Sequence, residues 1–349
     1  GINVTDFFAD WINQPGYPHF HVDSISVTPS AGDYEVTVYV QQQLRGAISF
    51  ANNVPINVFF RDEDWNLQSV KMTVSGQFSN QTFPVPFSPT YATLNEDEKI
   101  GDATTSDQFV IKTTGTKLFS NANFQLSVQS ITDSAFVRVE HNWVSSYQGV
   151  DDPTIVVSPD RSWTIRGVDF QNMTANGIFV YNGTITSAGN LDAGLMVDYG
   201  AVLFNEDSLL LLYRADATQS WSVFPTYTLN VQANSTNKTG AITAQNLLAG
   251  EYTFGMRVYG VGINSAVKKT DIKLFPNPND GNFKIDMGNS AKGEYVFQLY
   301  AMNGVLIAEK KTSDKQFTFS PGELANGIYY LSVLSKNKLV ANMKVSVVR

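Results

Sequence analysis

The fold of this chain is decided by its C-terminal stretch, 274–349, which opens with Phe275-Pro276-Asn277-Pro278-Asn279-Asp280-Gly281-Asn282-Phe283. Because proline fixes φ and has no N–H to donate, Pro276 and Pro278 predict an extended segment that cannot lie in the centre of a sheet. The turn residues that follow lead into an apolar residue, as at the start of a strand. The opening therefore indicates β-structure.

Turns and alternating strands continue this pattern towards the end of the chain. Asparagine and glycine tolerate the positive φ of tight turns, and turn sequences occur at 279–281, 303–304 and 326–327. Between the first two turns, the segment 295–300 alternates, with aromatic or aliphatic side chains at its odd-numbered positions. A period of two predicts a strand with one buried face. The stretch is predicted to be a small antiparallel sandwich.

In this order, the motifs of 274–349 resemble the C-terminal sorting domain of the type IX secretion system. Bacteria of the Bacteroidetes group use that domain to send proteins across the outer membrane. The resemblance includes the run 324–333, Leu-Ala-Asn-Gly-Ile-Tyr-Tyr-Leu-Ser-Val, and the terminal run 344–348, Lys-Val-Ser-Val-Val. It implies secretion or display on the cell surface and recognition by the type IX machinery at the outer membrane. It also implies cleavage within 259–271. The positions expected to carry the signal are Pro276, Asn277, Pro278, Gly304, Asn326, Gly327, Tyr329 and Lys344.

Length and composition limit the remaining possibilities. A chain of 349 residues predicts two or three domains. Aromatic residues at 12% and charged residues at 16% fit an ordered, extracellular all-β protein. The chain has no cysteine, which excludes disulfides and thiolate metal sites. It contains no apolar run long enough to predict a transmembrane segment.

Charge is divided unevenly along the chain. Residues 266–349 carry 12 Lys and Arg against 7 Asp and Glu, a net charge of +5. The residues before them carry 12 against 25, a net charge of −13. A change of sign at one place predicts a domain boundary and different partners for the two parts. The acidic part is not expected to bind nucleic acid.

The fold class predicted from these patterns is all-β, with three consecutive Ig-like β-sandwich domains preceded by a short remnant helix. This division is supported by strict alternation at 35–40 and by further strand patterns up to Trp143. A second set of short strands follows the polar linker 146–153. The predicted parts are 1–20 for the helix, 21–150 and 151–265 for two sandwiches, and 266–349 for the sorting domain.

The first residues of the chain predict a helix. Phe7, Phe8, Trp11 and Ile12 share one face at helical spacing, and Thr5 or Asp6 is expected to cap it. Because so short a helix is unstable alone, we expect it to be the end of a domain that lies outside this chain.

The same residues carry a second resemblance. The pattern Phe7-Phe8-x-x-Trp11-Ile12-x-x-Pro15-Gly16-Tyr17-Pro18, followed by the strand 36–42, is similar to zinc aminopeptidases of the aminopeptidase N family. In that family the pattern lies where the catalytic domain joins a β-sandwich. The resemblance implies a zinc metallopeptidase domain, absent from this chain, as partner of the first sandwich.

No catalytic residue and no metal ligand is predicted in the chain itself. The family binds zinc through His-Glu-x-x-His, and the three histidines, His19, His21 and His141, do not fit that spacing. We expect His19 and His21 to point to opposite faces of an extended segment, and all three to be structural. No cofactor is therefore predicted for this chain, and zinc is implied only for the absent domain. The glycine-containing run 260–265 has no helix after it and is interpreted as a linker.

Two other groups of side chains leave alternatives open. The carboxylates at 62–64 and 96–98 could pair as acid and base, but such clusters in turns are usually solvated. Tryptophans in a sandwich are usually core residues, yet they could also line a sugar-binding face; they are Trp65, Trp143, Trp163 and Trp221.

The sequence thus predicts the non-catalytic C-terminal region of a secreted zinc aminopeptidase, with a sorting domain as its export signal. The alternative is a surface adhesin or carbohydrate-binding protein exported by the same system.

Overall fold

The structure is a computed structural model that describes residues 4–145, 149–184, 190–198, 204–258, 272–288, 293–301, 306–322, 324–335 and 338–348. The chain is nearly all-β, which confirms the predicted fold class. It divides into two compact units, a larger one built from residues up to 257 and a smaller one built mainly from the C-terminal residues. None of its described helices is long and apolar enough to cross a membrane.

The first sandwich is formed by six strands. They are β1 (Tyr17–Ser30), β2 (Asp33–Arg45), β3 (Val54–Arg61), β4 (Leu67–Val74), β5 (Phe78–Val85) and β6 (Tyr91–Leu94). One antiparallel sheet has the order β1-β2-β5 and the other has the order β4-β3-β6. Val36, Val38 and Val40 of the predicted alternating strand are all buried and share one core with Val58 and Phe60 of the other sheet.

A short helical segment precedes β1, as predicted. It consists of α1 (Thr5–Phe7) and a π-helical turn, Phe8–Ile12. The residue before α1 is Val4, and no side chain caps the helix, so the predicted cap is wrong. The segment is held instead by the loop before β3, because the carboxylate of Asp10 accepts a hydrogen bond from the backbone N–H of Asn52 at 2.8 Å.

The second sandwich is formed by twelve strands. They are β7 (Thr104–Ile111), β8 (Gly115–Phe119), β9 (Phe124–Ile131), β10 (Ala135–Asn142), β11 (Ile155–Val157), β12 (Ser162–Val168), β13 (Met173–Asn182), β14 (Leu209–Arg214), β15 (Ser222–Val223), β16 (Tyr227–Val231), β17 (Thr239–Ala244) and β18 (Gly250–Arg257). One sheet has the order β15-β14-β18-β12-β10-β7, with β11 also paired to β18. The other sheet has the order β16-β17-β13-β9-β8.

Aromatic rings join the two sheets of the second sandwich. The ring of Trp163 on β12 lies 5.1 Å from that of Phe179 on β13 and 5.2 Å from that of Phe254 on β18. The guanidinium of Arg161 lies over Trp163 and binds the carboxylate of Asp192 through two hydrogen bonds of 2.6 and 2.7 Å. Both partners of this ion pair are buried, with side-chain exposures of 3% and 2%.

The predicted boundary between two domains at residue 150 does not coincide with a boundary between sheets. Strand β10 lies before residue 150, and it pairs in register with β12, which lies after it. Strand β9 likewise pairs with β13. The polar segment near 150 is therefore a connection within one sandwich. Its polar composition indicates an exposed loop, but it does not indicate which strands pair on either side of it.

The tail sandwich is formed by the last seven strands. They are β19 (Lys273–Phe275), β20 (Phe283–Asp286), β21 (Tyr295–Ala301), β22 (Leu306–Thr312), β23 (Gln316–Phe319), β24 (Gly327–Ser335) and β25 (Lys338–Val347). Its sheets have the orders β19-β20-β23 and β22-β21-β24-β25. Among the described residues, these strands pair only with one another.

The core of the tail sandwich contains residues of both sheets, including Phe283 and Phe297. Tyr295, Phe297 and Leu299 face inward, as the period of two predicted. The small antiparallel sandwich predicted for this stretch is therefore confirmed.

Candidate functional site

The Pro-Asn segment, residues 275–280, connects the two sheets of the tail sandwich. Phe275 ends β19 in the three-stranded sheet, and the residues after it run along the free edge of β25 in the four-stranded sheet. The peptide bonds before Pro276 and Pro278 are both cis. The segment therefore covers an edge that would otherwise present unpaired backbone groups.

Asn277 binds the last strand through its side chain. Its Nδ2 donates a hydrogen bond to the carbonyl of Lys344 at 2.8 Å, and its Oδ1 accepts one from the N–H of Ser346 at 2.7 Å. The backbone of Asn279 continues the pairing, with its N–H donating to the Ser346 carbonyl at 2.9 Å and its carbonyl accepting from Val348 at 2.8 Å. We call these four hydrogen bonds the edge clamp. The Asn277 side chain thus fastens the Pro-Asn segment to the last strand.

The two prolines line a groove beside the edge clamp. The groove has a volume of about 700 Å³, and its walls include Phe275, Pro276, Pro278, Asn279 and Val348. Asn279 is buried, its Oδ1 accepts a hydrogen bond from the Gly281 N–H at 2.8 Å, and its Nδ2 has no hydrogen-bond partner among the described residues. The predicted signal residues Pro276 and Pro278 are therefore accessible from this groove.

The predicted run at 326–329 lies at the start of β24. Gly327 is the first residue of the strand and pairs with Val347, while Asn326 immediately precedes it. Tyr329 points into the core, and its hydroxyl donates a hydrogen bond to the carbonyl of Ala325 at 2.9 Å. This bond fastens the loop before β24, so Tyr329 supports the fold. The predicted residue Gly304 lies outside the described residues, as does the expected cleavage region 259–271.

Lys344 is exposed, and its neighbours across the sheet form a surface that the sequence analysis missed. Lys344 pairs with Tyr330 on β24, and Tyr330 pairs with Tyr300 on β21. We call these three residues the outer row. Tyr330 is 41% exposed, whereas the adjacent Tyr329 is buried. Period-two alternation from Tyr329 could have identified Tyr330 as outward-facing.

The charged side chains of the tail sandwich lie near its surface. The carboxylate of Asp286 accepts a hydrogen bond from the backbone N–H of Gly288 and another from Gln316, which together lower its pKa. It therefore stays ionised at neutral pH. Lys311 and Lys344 remain exposed on the outer face of the four-stranded sheet.

The three histidines are part of the larger unit's structure. The rings of His19 and His21 stack at 5.5 Å, so the expectation that they point apart was wrong, because residues two apart in a strand share a face. Burial lowers the pKa of His19, helped by His21, and burial also lowers the pKa of His141. His141 stacks on Trp163 at 5.1 Å. Among the described residues no group of histidine and acidic side chains could hold a metal ion.

The two acidic clusters make structural hydrogen bonds. The carboxylate of Asp62 accepts hydrogen bonds from the backbone N–H groups of Asp64 and Asn66, which closes the turn before β4. Glu96 forms an ion pair with Arg61 at 2.5 Å and accepts a hydrogen bond from Thr93. Asp62 and Glu96 therefore stabilise the segments in which they lie.

The tryptophans do not form one sugar-binding face. Trp163 and Trp221 are buried in different parts of the second sandwich. The Nε1 of Trp143 donates a hydrogen bond to His141. Trp65 is partly exposed and donates one to Asp169 at 2.6 Å. Core packing, the usual role, is therefore confirmed for Trp163 and Trp221, and the alternative of a shared sugar-binding face is wrong.

A buried polar cavity lies between the first and second sandwiches. It has a volume of about 30 Å³ and is lined by residues that include His21, Asp102, Glu140 and Arg166. Burial raises the pKa of Asp102 to about 7, and the nearby charge of Glu140 acts in the same direction. Asp102 therefore titrates near neutral pH.

Comparison with known proteins identifies the C-terminal part of the chain. Residues 273–348 match the family model described as secretion system C-terminal sorting domain. None of the curated proteins matches the chain. A solved structure of PorZ from Porphyromonas gingivalis, described as an essential surface component of the type-IX secretion system, is similar with 12% identity and a TM-score of 0.21.

The PorZ similarity covers 94% of this chain and 52% of PorZ, so the chain spans about half of that protein's length. A TM-score this low supports no conclusion about fold or function. The family match is different, because it coincides with the tail sandwich. The predicted type IX sorting domain is confirmed, and with it export to the cell surface or secretion.

Proposed function

We propose that this chain is a non-catalytic part of an exported protein, and that its tail sandwich is read by the type IX machinery as a folded surface. The observation that carries this proposal is the division of the signal residues into two groups. Asn277 and Tyr329 hold the tail sandwich together, whereas Pro276, Pro278 and Lys344 remain accessible. In the folded tail, the first group therefore fixes the positions at which a partner would meet the second group.

The outer row and the proline-lined groove are the proposed contact surfaces. Both lie within residues 266–349, which carry a net positive charge of +5. Lys344 supplies a charge beside the partly exposed ring of Tyr330. Tyrosine is enriched at protein interfaces, where it contributes contact area and a polar hydroxyl, and the charge of Lys344 can steer an acidic partner to this surface.

The experiment compares the full chain with a deletion of Lys273–Arg349 in a bacterium that has a type IX system. We expect the deleted form to accumulate in the periplasm and the full chain to reach the outer surface or the medium. The fraction of protein in each compartment is measured by immunoblotting. A host that lacks the secretion machinery is the control, and normal secretion of the deleted form would contradict the proposal.

The aminopeptidase part of the interpretation is a separate proposal. It depends on the resemblance of residues 7–18 and 36–42, and no comparison supports it. Phe7, Phe8 and Ile12 are each about half exposed or more on the helical segment, as expected for a surface that meets another domain. The test is the sequence of the encoding gene: a His-Glu-x-x-His motif upstream, with a second glutamate, supports a peptidase, and an upstream domain without it refutes one.

A further inference from the structure

The larger unit contains a cleft that the secretion function does not explain. It has a volume of about 640 Å³ and lies between the end of β2 and the second sandwich. We call it the glutamine cleft, and it is lined by residues that include Gln41, Gln43, Arg45, Phe50, Gln77 and Asp160. A cleft of this size is in the range that binds small molecules.

Gln41 is the feature that distinguishes this cleft from a surface depression. The residue is fully buried, yet neither its Oε1 nor its Nε2 has a hydrogen-bond partner among the described residues. Buried amide groups are nearly always hydrogen-bonded, because an unpaired one loses its hydration without compensation. The neighbouring Gln42, by contrast, is satisfied by the backbone of Ala51 and Gly76.

Strand geometry places Gln41 on the side of the cleft. Gln41, Gln43 and Arg45 alternate along β2 and share one face. Gln43 donates a hydrogen bond to the carbonyl of Ser145 at 3.2 Å, and Arg45 binds the carboxylate of Asp160 at 2.6 Å. Both partners belong to the second sandwich, so this face of β2 is the one that borders the cleft.

The lining of the cleft indicates the class of ligand. Arg45 and Asp160 are its only charged residues among those described, and they neutralise one another. The remaining polar side chains are glutamine amides and the hydroxyl of Ser145, which can both donate and accept hydrogen bonds, as sugar hydroxyls do. Phe50 offers an apolar ring face. This combination favours a neutral, polyhydroxylated molecule over an anion or a cation.

We infer that the glutamine cleft binds a neutral saccharide of two or three units, and that the Gln41 side chain turns into the cleft on binding so that its amide hydrogen-bonds the sugar hydroxyl groups. This restores the carbohydrate-binding alternative at a place that the tryptophans did not indicate. The inference is independent of the export function, because the cleft and the tail sandwich belong to different units.

The test titrates the full chain with maltotriose, cellotriose, mannotriose and chitotriose by isothermal calorimetry. We expect at least one of them to bind, and the charged trigalacturonate to bind more weakly. If none of the four neutral sugars binds, or if trigalacturonate binds best, the inference is wrong.

The Gln41→Met variant locates the site. Methionine has similar length and no polar amide, so we expect saccharide affinity to fall about tenfold or more. We expect the Tm to stay the same or rise, because two unpaired buried polar atoms are removed. The matched control is Gln81→Met on β5, outside the cleft, which should leave affinity unchanged.

A second variant covers the case in which Gln41→Met does not fold. Gln77 is exposed at the rim of the cleft, and Gln77→Ala should fold and lower affinity. Unchanged affinity in every folded cleft variant would assign the saccharide to another surface and overturn the inference.

Discussion

The second sandwich and the tail sandwich are both all-β, but they are stabilised in different ways. The second sandwich is held by contacts deep in its core, where the rings around Trp163 and the buried Arg161–Asp192 pair meet. The tail sandwich has no comparable ion pair in its described residues, and its last strand is held by the edge clamp. Both sandwiches have an apolar core, to which the second adds a buried ion pair and the tail adds hydrogen bonds along one edge, so the two should be destabilised by different substitutions.

The largest expected effect concerns the buried ion pair of the second sandwich. Asp192→Ala leaves the Arg161 guanidinium buried without its carboxylate, so we expect the free energy of unfolding to fall by about 3–5 kcal/mol. All five tryptophans precede residue 222, so tryptophan fluorescence during urea unfolding reports on the larger unit alone. The control is Asp160→Ala, which breaks the partly exposed pair with Arg45 and should cost about 1 kcal/mol or less. Equal losses of stability in Asp192→Ala and Asp160→Ala would show that the buried ion pair contributes no more than the partly exposed one, which would contradict the prediction.

The next effect is a pH dependence of the larger unit between about pH 4 and pH 7. Burial raises the pKa of Asp102 to about 7 from 3.8, so between these values the folded state binds a proton that the unfolded state releases. Stability from this group is therefore complete below about pH 4 and is lost as the pH rises to 7, by at most about 4 kcal/mol.

The lowered pKa values of His19 and His141 act in the opposite direction, since they favour the folded state above the unfolded pKa of 6.5. The measurement is therefore the difference in the free energy of unfolding between the wild type and Asp102→Asn from pH 4 to 8. Tryptophan fluorescence monitors the unfolding. We expect Asp102→Asn to gain stability over the wild type as the pH rises. The exposed Asp133→Asn is the control, and the same gain there would argue against Asp102.

A smaller effect is expected at the edge clamp of the tail sandwich. Asn277→Ala removes two hydrogen bonds to β25 and should lower stability by about 1–3 kcal/mol. Hydrogen exchange should become faster in residues 344–348, and the fluorescence transition of the larger unit should not move. Asn282→Ala, in the same part of the chain, is the matched control. A shift of the fluorescence transition would show that the two units are not separately stabilised.

The smallest effect on stability is expected at the outer row. Lys344→Ala removes an exposed side chain, while the clamp uses only its backbone carbonyl, so stability should change by no more than about 0.5 kcal/mol. Secretion should nevertheless fall if the outer row is recognised. Unchanged hydrogen exchange together with reduced secretion would show that Lys344 acts in recognition and not in folding. Unchanged secretion would exclude Lys344 from the contact surface.

The sequence predicted the parts of the fold that depend on local pattern. The alternation of Tyr295, Phe297 and Leu299 correctly predicted a strand and its buried face. The boundary near residue 150 was wrong because strand pairing is decided by residues far apart, and β10 pairs with β12 across the polar connection. His19 and His21 were misplaced because the period of two was applied incorrectly to their spacing.

The candidate sites show the same difference between local patterns and contacts of residues far apart in the chain. The roles of Pro276, Asn277 and Pro278 in the signal stay a prediction, and the structure adds that the partners of Asn277 lie 67 and 69 residues later. No local pattern indicates such partners. Gln41 was not predicted at all, because an unpaired buried amide is defined by what surrounds it in three dimensions. In the sequence, a glutamine within an apolar strand indicates only weakly that its amide is buried and unpaired.

The edge clamp also sets the order of events during synthesis. Its donors and acceptors join residues 277 and 279 to Lys344, Ser346 and Val348, which are made 67 or more residues later. A growing polypeptide on the ribosome cannot close this edge until residue 348 has been made, whereas the strands before residue 258 are already complete. The tail sandwich is thus finished after the larger unit, and a chain that stops before residue 344 lacks the edge clamp.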